Sequence, residues 1–267
     1  MVDQLQHSQH DQVAQAVRGW FREPFESMGY RAETGTFGTY WNTGMVFPSP
    51  VAASDPTGFL NDLRTTYGQA KTMVCLDDSS LERQLRPALA AAGWSEGESE
   101  IFLAHFGPAQ YGPAPETPVG IALQMEPVTE ANLRDYALTG LIAFEDAEEE
   151  PYQETLAAEM ARRRQELAGT GRGLMARVDD TPAGIMRWFE ETPDIWIVGL
   201  AVRPAFRGQG IGSALIKQRL VDSYAAGRRS VIINVAVKND GARRLYDRLG
   251  FADEVYRRVQ LQSPNSS

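Results

Sequence analysis

The sequence predicts a mixed α/β protein with two domains joined by a proline-rich linker. The chain has 267 residues, whereas a typical domain has about 100–200. Hydrophobic residues make up 43% and charged residues 23%, close to the globular average, so a sizeable core can form. Residues 107–118 contain four prolines and two glycines, too many for a helix or a central strand. We therefore predict domains at 1–106 and 119–262, a linker at 107–118 and a disordered tail at 263–267.

The first domain combines helical and strand-like patterns. Apolar residues at helical spacing predict helices at 10–28, 56–67 and 80–92. Apolar runs of strand length predict strands at 39–47, 71–76 and 100–106.

The second domain continues this alternation. A strand is predicted at 119–125, helices at 129–144 and 152–168, and a hairpin of 173–178 with 183–190 that turns at Asp-Asp-Thr-Pro. The continuous apolar run at 195–202 is typical of a strand buried on both faces. After a glycine-rich turn and a helix come a strand at 230–237, a helix at 240–249 ended by Gly250, and a strand at 251–261.

The net charge and the composition limit the cellular compartment and the binding partners that we expect. The net charge of -9 repels nucleic acids and anionic membranes, so a cationic or neutral partner is favoured. The sequence shows neither a signal peptide nor an apolar run of about 18 residues, so we expect a cytoplasmic protein without a membrane partner. The one cysteine, Cys75, is expected in the core, and the three histidines all lie in the N-terminal half, so we predict no metal site.

A glycine-rich stretch follows the apolar run at 195–202. Arg207, Gly208, Gln209, Gly210, Ile211, Gly212 and Ser213 lead from that strand into a helix. Glycines allow backbone N–H groups to approach an anion, and a helix N-terminus adds positive partial charge. The stretch is therefore suited to a pyrophosphate, while a tight strand-to-helix turn is the alternative. The spacing fits neither a dinucleotide-binding fingerprint nor a P-loop.

A second informative element extends from Asn239 to Phe251. Asn239, Ala242 and Tyr246 lie on one helical face, beside an apolar stripe formed by Leu245 and Leu249. One face can therefore contact a ligand while the other packs. The alternative is that Asn239 is an N-cap and Tyr246 a half-buried aromatic residue.

In this order, the two elements resemble the Gcn5-related N-acetyltransferase (GNAT) family. Arg207, Gly210 and Gly212 match its R-x-x-G-x-G acyl-CoA loop. Its N-x-x-A-x-x-L-Y-x-x-x-G-F helix is matched by Asn239, Ala242, Leu245, Tyr246, Gly250 and Phe251. The motifs cover 198–251, and the element order extends the resemblance to about residue 119. The resemblance implies a mixed central sheet, splayed where acyl-CoA enters and flanked by helices.

The resemblance also implies roles for individual residues. The thioester carbonyl of acetyl-CoA, the co-substrate, is expected against backbone amides near Leu200, Ala201 and Val202, where an N–H group stabilises the developing oxyanion. The phosphates are expected on residues 208–213 and the pantetheine arm at Asn239, with Ala242 as a further cofactor-binding residue. Tyr246 matches the residue that often protonates the leaving sulfur.

The candidates for the general base lie outside the strand that precedes the loop. Many members of the family place a carboxylate on or near the strand before the loop, but residues 195–202 contain none. Glu190, Glu191 and Asp194 flank the adjoining turn and are candidates that act through a water molecule. The alternative is that they form a solvated hairpin tip.

The resemblance predicts an enzyme that transfers an acetyl group to a small cationic amine by direct attack on the thioester. Five of the six residues at 145–150 are acidic and suit a cationic acceptor, although carboxylates are also favoured at a helix N-terminus. A non-catalytic acyl-CoA sensor is the alternative. Acylation of a substrate on charged tRNA is a third, disfavoured by the acidic balance but allowed by basic residues at 162–164.

The two halves of the chain show a weak similarity to each other. A shift of 157 residues aligns Gly93 with Gly250 and the strand of Val74 with that of Val231. An internal repeat explains this similarity. Chance also explains it, since a glycine often ends a helix. The residues aligned with the glycine loop, 51–54, contain no arginine and no glycine. We therefore predict that the N-terminal half has no acyl-CoA site of its own, whether or not it is related to the C-terminal half.

Overall fold

The computed structural model describes residues 12–13, 16–17, 31–68, 70–76, 79–107, 122–145 and 153–264. The predicted linker beyond Gly107 and the acidic run beyond Glu145 lie outside these residues. The N-terminal part contains β1 (Ala32–Thr34), β2 (Gly38–Trp41), β3 (Met45–Pro48), α1 (Pro50–Ser54), α2 (Pro56–Tyr67), β4 (Met73–Leu76), α3 (Ser79–Ala91), β5 (Ser95–Glu96) and β6 (Glu100–Phe106).

The C-terminal part begins with β7 (Leu123–Pro127), α4 (Leu133–Glu145), α5 (Gln153–Ala168), β8 (Gly171–Val178), β9 (Thr181–Glu191) and β10 (Asp194–Val202). A 3-10 turn (Pro204–Phe206) leads to α6 (Ile211–Ala225), β11 (Ser230–Ala236), α7 (Asp240–Arg248) and β12 (Asp253–Gln262). The predicted element types hold at most positions, with boundaries shifted by a few residues. The predicted strand at 39–47 is instead the hairpin β2–β3, because a turn closes where Gly44 adopts a φ of 84° and donates to the Trp41 carbonyl.

The described chain forms two compact units, of which the first combines Met1–Leu103, Val235–Arg243 and Glu254–Ser267. Its strands follow the order β1-β2-β3-β4-β12-β6, with β3 and β4 parallel and β12 antiparallel to β4. Because the last strand pairs with β4, this unit is discontinuous in sequence, unlike the continuous division expected above. Ser263, expected in a disordered tail, exchanges two hydrogen bonds with Thr72, so ordered pairing extends past β12.

The helices of the first unit cover a separate core. Pro56 occupies the first turn of α2, and the Asp55 side chain accepts a hydrogen bond of 2.9 Å from the Gly58 N–H. Phe59 and Leu63, one turn apart on α2, are buried against the sheet strand that contains Val74. Cys75, on the same strand, is buried as expected.

The second unit combines Ala104–Asn234 and Arg244–Asp253. Its strands follow the order β7-β8-β9-β10-β11, antiparallel except for the parallel pair β10–β11. On one face, Leu133, Tyr136 and Ala143 of α4 pack on Met175, Ile185 and Ala201 of the sheet. The alternation of side chains along β10 turns Leu200 and Val202 to the other face, toward α6.

The element order recurs at the shift of 157 residues. Apart from the short elements α1 and β5, the series β3-α2-β4-α3-β6 is repeated as β10-α6-β11-α7-β12, and β3–β4 and β10–β11 are both parallel pairs. This recurrence favours an internal repeat over chance.

Candidate active site

The C-terminal part of β10 lies at an opening in the sheet of the second unit. Up to Ile197, β10 pairs with β9 on one side and with β11 on the other, where its last register partner is Ile233. Pairing with β9 continues to Val202, with a register shift between Ile197 and Gly199 that leaves Val198 as a bulge. Beyond Ile197, the edge of β10 that faced β11 is therefore open in the ladder of register pairs.

The backbone groups of Leu200 and Val202 face this open edge. The Arg203 N–H donates to the Ala183 carbonyl at 2.8 Å, so residue 203 turns its backbone groups toward β9. Because backbone groups alternate along an extended strand, those of Ala201 also face β9 and those of Leu200 and Val202 face away from it. Two N–H groups thus point to the side where β11 no longer pairs.

A glycine-rich loop leads from this strand end into α6. Gly208 has a φ of 77° and Gly210 a φ of 81°, left-handed values that favour glycine because a Cβ would crowd the backbone. Gly210 is the N-cap of α6, and no side chain caps this helix or places an acidic group in its first turn. The N–H groups of its first residues, Ile211, Gly212 and Ser213, are therefore suited to an anion.

Arg207 and Gln209 hold the loop rather than extend from it. The Arg207 guanidinium donates from Nε to the Val202 carbonyl at 3.0 Å and from Nη2 to the Ala143 carbonyl at 2.9 Å. Gln209 donates to the Ala205 carbonyl at 3.4 Å. Arg207 thus ties the end of β10 to the end of α4, and its charge reaches the loop from that fixed position.

The turn of α7 that carries Tyr246 packs near the start of α6. A Cβ built on Gly212 would lie 3.6 Å from Leu245, 3.7 Å from Leu200 and 3.8 Å from Val202, so this glycine lets the three side chains meet over it. Tyr246 follows Leu245 and is 5% exposed, with its ring centroid 6.1 Å from that of Phe251.

The Tyr246 hydroxyl forms no hydrogen bond within the described residues. Burial raises the pKa of Tyr246 above its usual value of about 10, so the phenol is protonated at neutral pH. It is therefore a proton or hydrogen-bond donor that has no acceptor among the described residues.

Asn239 and Ala242 lie in the part of α7 that belongs to the first unit. The Asn239 side chain accepts a hydrogen bond of 3.0 Å from the Ala242 N–H, which makes Asn239 the N-cap of α7. This is the alternative role considered for Asn239. Contact of Asn239 with the pantetheine arm stays a prediction.

The structure does not bring Glu190 and Asp194 to the open edge. Asp194 is 2% exposed, begins β10, and accepts hydrogen bonds from Arg229 and Ser230 at 2.9 and 2.7 Å. Six residues of strand at about 3.3 Å each put about 20 Å between its backbone and that of Leu200. Glu190 is paired in register with Ile195 at the same remote end. The interpretation of these carboxylates as the general base is therefore not retained.

The basic residues at 162–164 form no free cationic patch. Arg162 and Arg163 both donate to Glu159, at 2.6 and 2.7 Å, and Arg164 pairs with Glu130. This weakens the interpretation that depended on RNA. Among the described helices, none is long and apolar enough to cross a membrane. Within the same residues, no cluster of three or more His, Cys, Asp or Glu side chains could hold a metal ion.

The N-terminal counterpart of the loop has a different structure. Where the second unit has glycines, the first has α1, and the start of the following helix, α2, is already capped by the Asp55 carboxylate. A built-in anion occupies the position that a phosphate would need.

Sequence reasoning missed two residues beside the open edge, Arg187 and Gly199. They are register partners, and the Arg187 side chain lies on the Gly199 backbone. A signal was present, because a glycine inside an apolar strand often marks a bulge or a close approach.

The open end of the β10–β11 pair and the glycine loop before α6 lie within a segment that a known family model matches. The model of the acetyltransferase (GNAT) family matches residues 139–251, so this segment is a GNAT domain. The match includes β10, the loop, α6 and the buried tyrosine of α7. It ends at Phe251, as the sequence motif does.

Two relatives share short segments with the chain. An uncharacterized N-acetyltransferase of Methanocaldococcus jannaschii is 47% identical over 53 residues, 20% of this chain and 24% of that protein. A mycothiol acetyltransferase of Corynebacterium efficiens is 40% identical over 62 residues, 23% of this chain and 20% of that protein. The aligned segments span about a quarter or less of these relatives.

Solved structures match the fold over most of the chain. A GCN5-related N-acetyltransferase from Kribbella flavida has a TM-score of 0.61 at 17% identity, with 95% of each chain covered. A tandem GNAT protein of clavulanic acid biosynthesis has a TM-score of 0.60 at 14% identity, covering 86% of this chain and 80% of that one. The likeness therefore includes a tandem arrangement of the fold.

Proposed function

We propose that the protein transfers the acetyl group of acetyl-CoA to the amine of a small cationic acceptor at the open edge of β10. The observation that carries the proposal is the end of β10–β11 pairing at Ile197 and Ile233, which leaves the last five residues of β10 open on that edge ahead of the glycine loop. An extended pantetheine arm would pair with the exposed backbone of β10 as a further strand does. The thioester carbonyl would then meet the N–H of Leu200 or Val202, and such a donor is worth about 2.7–4 kcal/mol in other enzymes.

The glycine loop and the start of α6 would bind the pyrophosphate. The N–H groups at 208–213 and the positive end of the helix supply the attraction, and Arg207 adds a charge from its place between Val202 and Ala143. The absence of a carboxylate cap on α6 supports this role, in contrast to Asp55 on α2. We therefore expect one acetyl-CoA per chain, in the C-terminal part.

Attack of the neutral amine on the thioester carbonyl forms the new C–N bond, and collapse of the tetrahedral intermediate breaks the C–S bond. The amine proton passes to solvent, and the sulfur leaves as a thiolate that is protonated. Tyr246 is the proposed general acid toward this sulfur. Its raised pKa keeps the phenol protonated throughout the working pH range, so the proton is present when the sulfur leaves.

The acceptor is proposed to be cationic because five of the six residues at 145–150, a stretch that begins with the last residue of α4, are acidic. The end of α4 is tied to the loop by the bond from Arg207 to Ala143. The mycothiol acetyltransferase among the relatives acts, by its name, in the acetylation of a small molecule, which agrees with a small acceptor.

The proposal is tested by incubation of the full chain with acetyl-CoA and a panel of small mono- and diamines, with separate detection of free thiol and acetylated amine. Equal amounts of both products, formed over many turnovers, are expected for at least one cationic amine. Tight acetyl-CoA binding without turnover of any amine would identify the sensor alternative instead. Absence of acetyl-CoA binding would remove both interpretations.

A further inference from the structure

Arg187 of β9 lies against Gly199, the glycine that follows the bulge in β10. Gly199 is its register partner, next to the bulge at Val198 and directly before Leu200. A Cβ built on Gly199 would lie 2.5 Å from Arg187 Nε, 2.9 Å from its Cγ and 3.1 Å from its Cδ. The arginine side chain therefore lies on the Gly199 backbone, where no other residue type leaves room for it.

The guanidinium end of the Arg187 side chain is held by a carboxylate of α5. Its Nη1 donates to Glu166 Oε1 at 3.4 Å, and the same carboxylate also pairs with Arg163. The side chains of Glu166 and Arg163 are each 6% exposed, and Arg163 pairs further with Glu159 at 2.7 Å. A buried chain of ion pairs thus fixes the direction from which Arg187 crosses β10.

This arrangement is unfavourable for stability taken alone. Arg187 Nε is buried and has no hydrogen-bond partner within the described residues. A buried polar group without a partner costs about 1–3 kcal/mol. Burial also lowers the pKa of Arg187, so the charge itself is held at a cost. An apolar side chain of similar length would fill the space without either penalty, which indicates a role beyond packing.

We propose that Arg187, held by Glu166, is a positioning residue that fixes the bulge of β10 and thereby the direction of the Leu200 and Val202 N–H groups. The inference rests on the proposed function, because those groups are the proposed donors to the thioester carbonyl. A bulge inserts one residue and turns the strand that follows it. Clamping Gly199, the first residue after the bulge, keeps that turn constant. Misplacement of a reacting group by about 1 Å can cost about 10²-fold in rate.

The test compares Arg187→Met, Arg187→Lys and the control Arg177→Met in the full chain. Arg177 is matched because it lies on β8, is 19% exposed against 22% for Arg187, and pairs with two carboxylates, Glu126 and Asp135. We expect Arg187→Met to lower kcat about 10²-fold while the Kd of acetyl-CoA changes less than about threefold. Arg187→Lys is expected to recover part of the rate, and Arg177→Met to leave kcat within about twofold at a similar loss of Tm.

Two further measurements keep the inference independent of the acceptor. Amide hydrogen exchange of peptides that cover 197–202 is expected to rise about tenfold in Arg187→Met and not in Arg177→Met. Gly199→Ala is expected to lower Tm strongly with Arg187 present and only slightly in the Arg187→Ala background, since the collision then disappears.

Unchanged exchange over 197–202 in Arg187→Met, or additive effects of the two alanine substitutions, would overturn the inference. If kcat and Tm fell together in Arg187→Met and in Arg177→Met, the role of Arg187 would be to stabilise the fold and not to position β10. If the wild-type chain transfers acetyl to no amine, the proposed function fails, and the exchange and alanine measurements still decide whether Arg187 fixes β10.

Discussion

A charge at Gly208 should weaken acetyl-CoA binding by an amount that can be worked out from the loop. A Cβ on Gly208 would meet no atom within 4 Å, so a glutamate side chain fits without a collision. The φ of 77° penalises any side chain there by about 1–2 kcal/mol. Gly208→Gln and Gly208→Glu share that strain and nearly the same shape, so the difference between them isolates the charge.

The charge effect follows from Coulomb's law. At about 7 Å, one phosphate charge repels a carboxylate by about 0.6 kcal/mol in water and about 2.4 kcal/mol at an effective dielectric constant of 20. Because residue 208 is exposed and salt screens it, we expect about 1.4 kcal/mol, or about a tenfold higher Kd for Gly208→Glu than for Gly208→Gln. The ratio should shrink as salt is raised.

Isothermal calorimetry with acetyl-CoA at two salt concentrations measures this ratio, and circular dichroism confirms that both variants are folded. Equal Kd values for the folded Glu and Gln variants at low salt would refute the placement of the pyrophosphate on this loop.

The remaining predictions concern three side chains. Tyr246→Phe should lower the single-turnover rate by about 10²–10⁴-fold with little change in acetyl-CoA affinity, and a near-wild-type rate would exclude Tyr246 as the acid. Asp194→Asn breaks a buried ion pair and should cost about 3 kcal/mol of unfolding free energy in denaturant titration, while the folded fraction keeps its transfer rate; the opposite pattern would restore Asp194 as the base. Burial lowers the pKa of His105 from 6.5 to about 4. As the pH falls below 6.5, the unfolded state therefore binds the proton before the folded state does, and the free energy of unfolding decreases until the pH reaches about 4. The unfolding free energy should therefore drop by about 1–2 kcal/mol between pH 7 and pH 5, and His105→Gln should lack this part of the drop; an equal drop in the variant would contradict the assignment.

Local patterns in the sequence predicted most of the elements and the loop. Helix α2 and strand β6 were predicted with the bounds that the structure has, because apolar spacing, Pro56 and the strand-like run are local signals. The loop was predicted because glycines directly before a helical pattern are a local signal. The left-handed backbone of Gly208 and Gly210 explains why glycines occupy these positions. These features depend on residues near in sequence.

Features that depend on pairing across the sheet could not be read from the sequence. Asp194 looked like a solvated turn residue, but the register of β10 with β11 puts it beside Ser230 and Arg229, where it is buried. The contact of Arg187 with Gly199 depends on the register of β9. The pairing of β12 with β4 joins strands far apart in the chain, and no local periodicity encodes it.

The central claim is that the open edge of β10 and the loop after it bind acetyl-CoA for transfer. A crystal structure of the full chain with acetyl-CoA tests it most directly. We expect one molecule per chain, with the pyrophosphate on the N–H groups at 208–213 and the thioester oxygen within about 3 Å of the N–H of Leu200 or Val202. A molecule bound at α2 of the first unit, or a thioester directed away from β10, would contradict it.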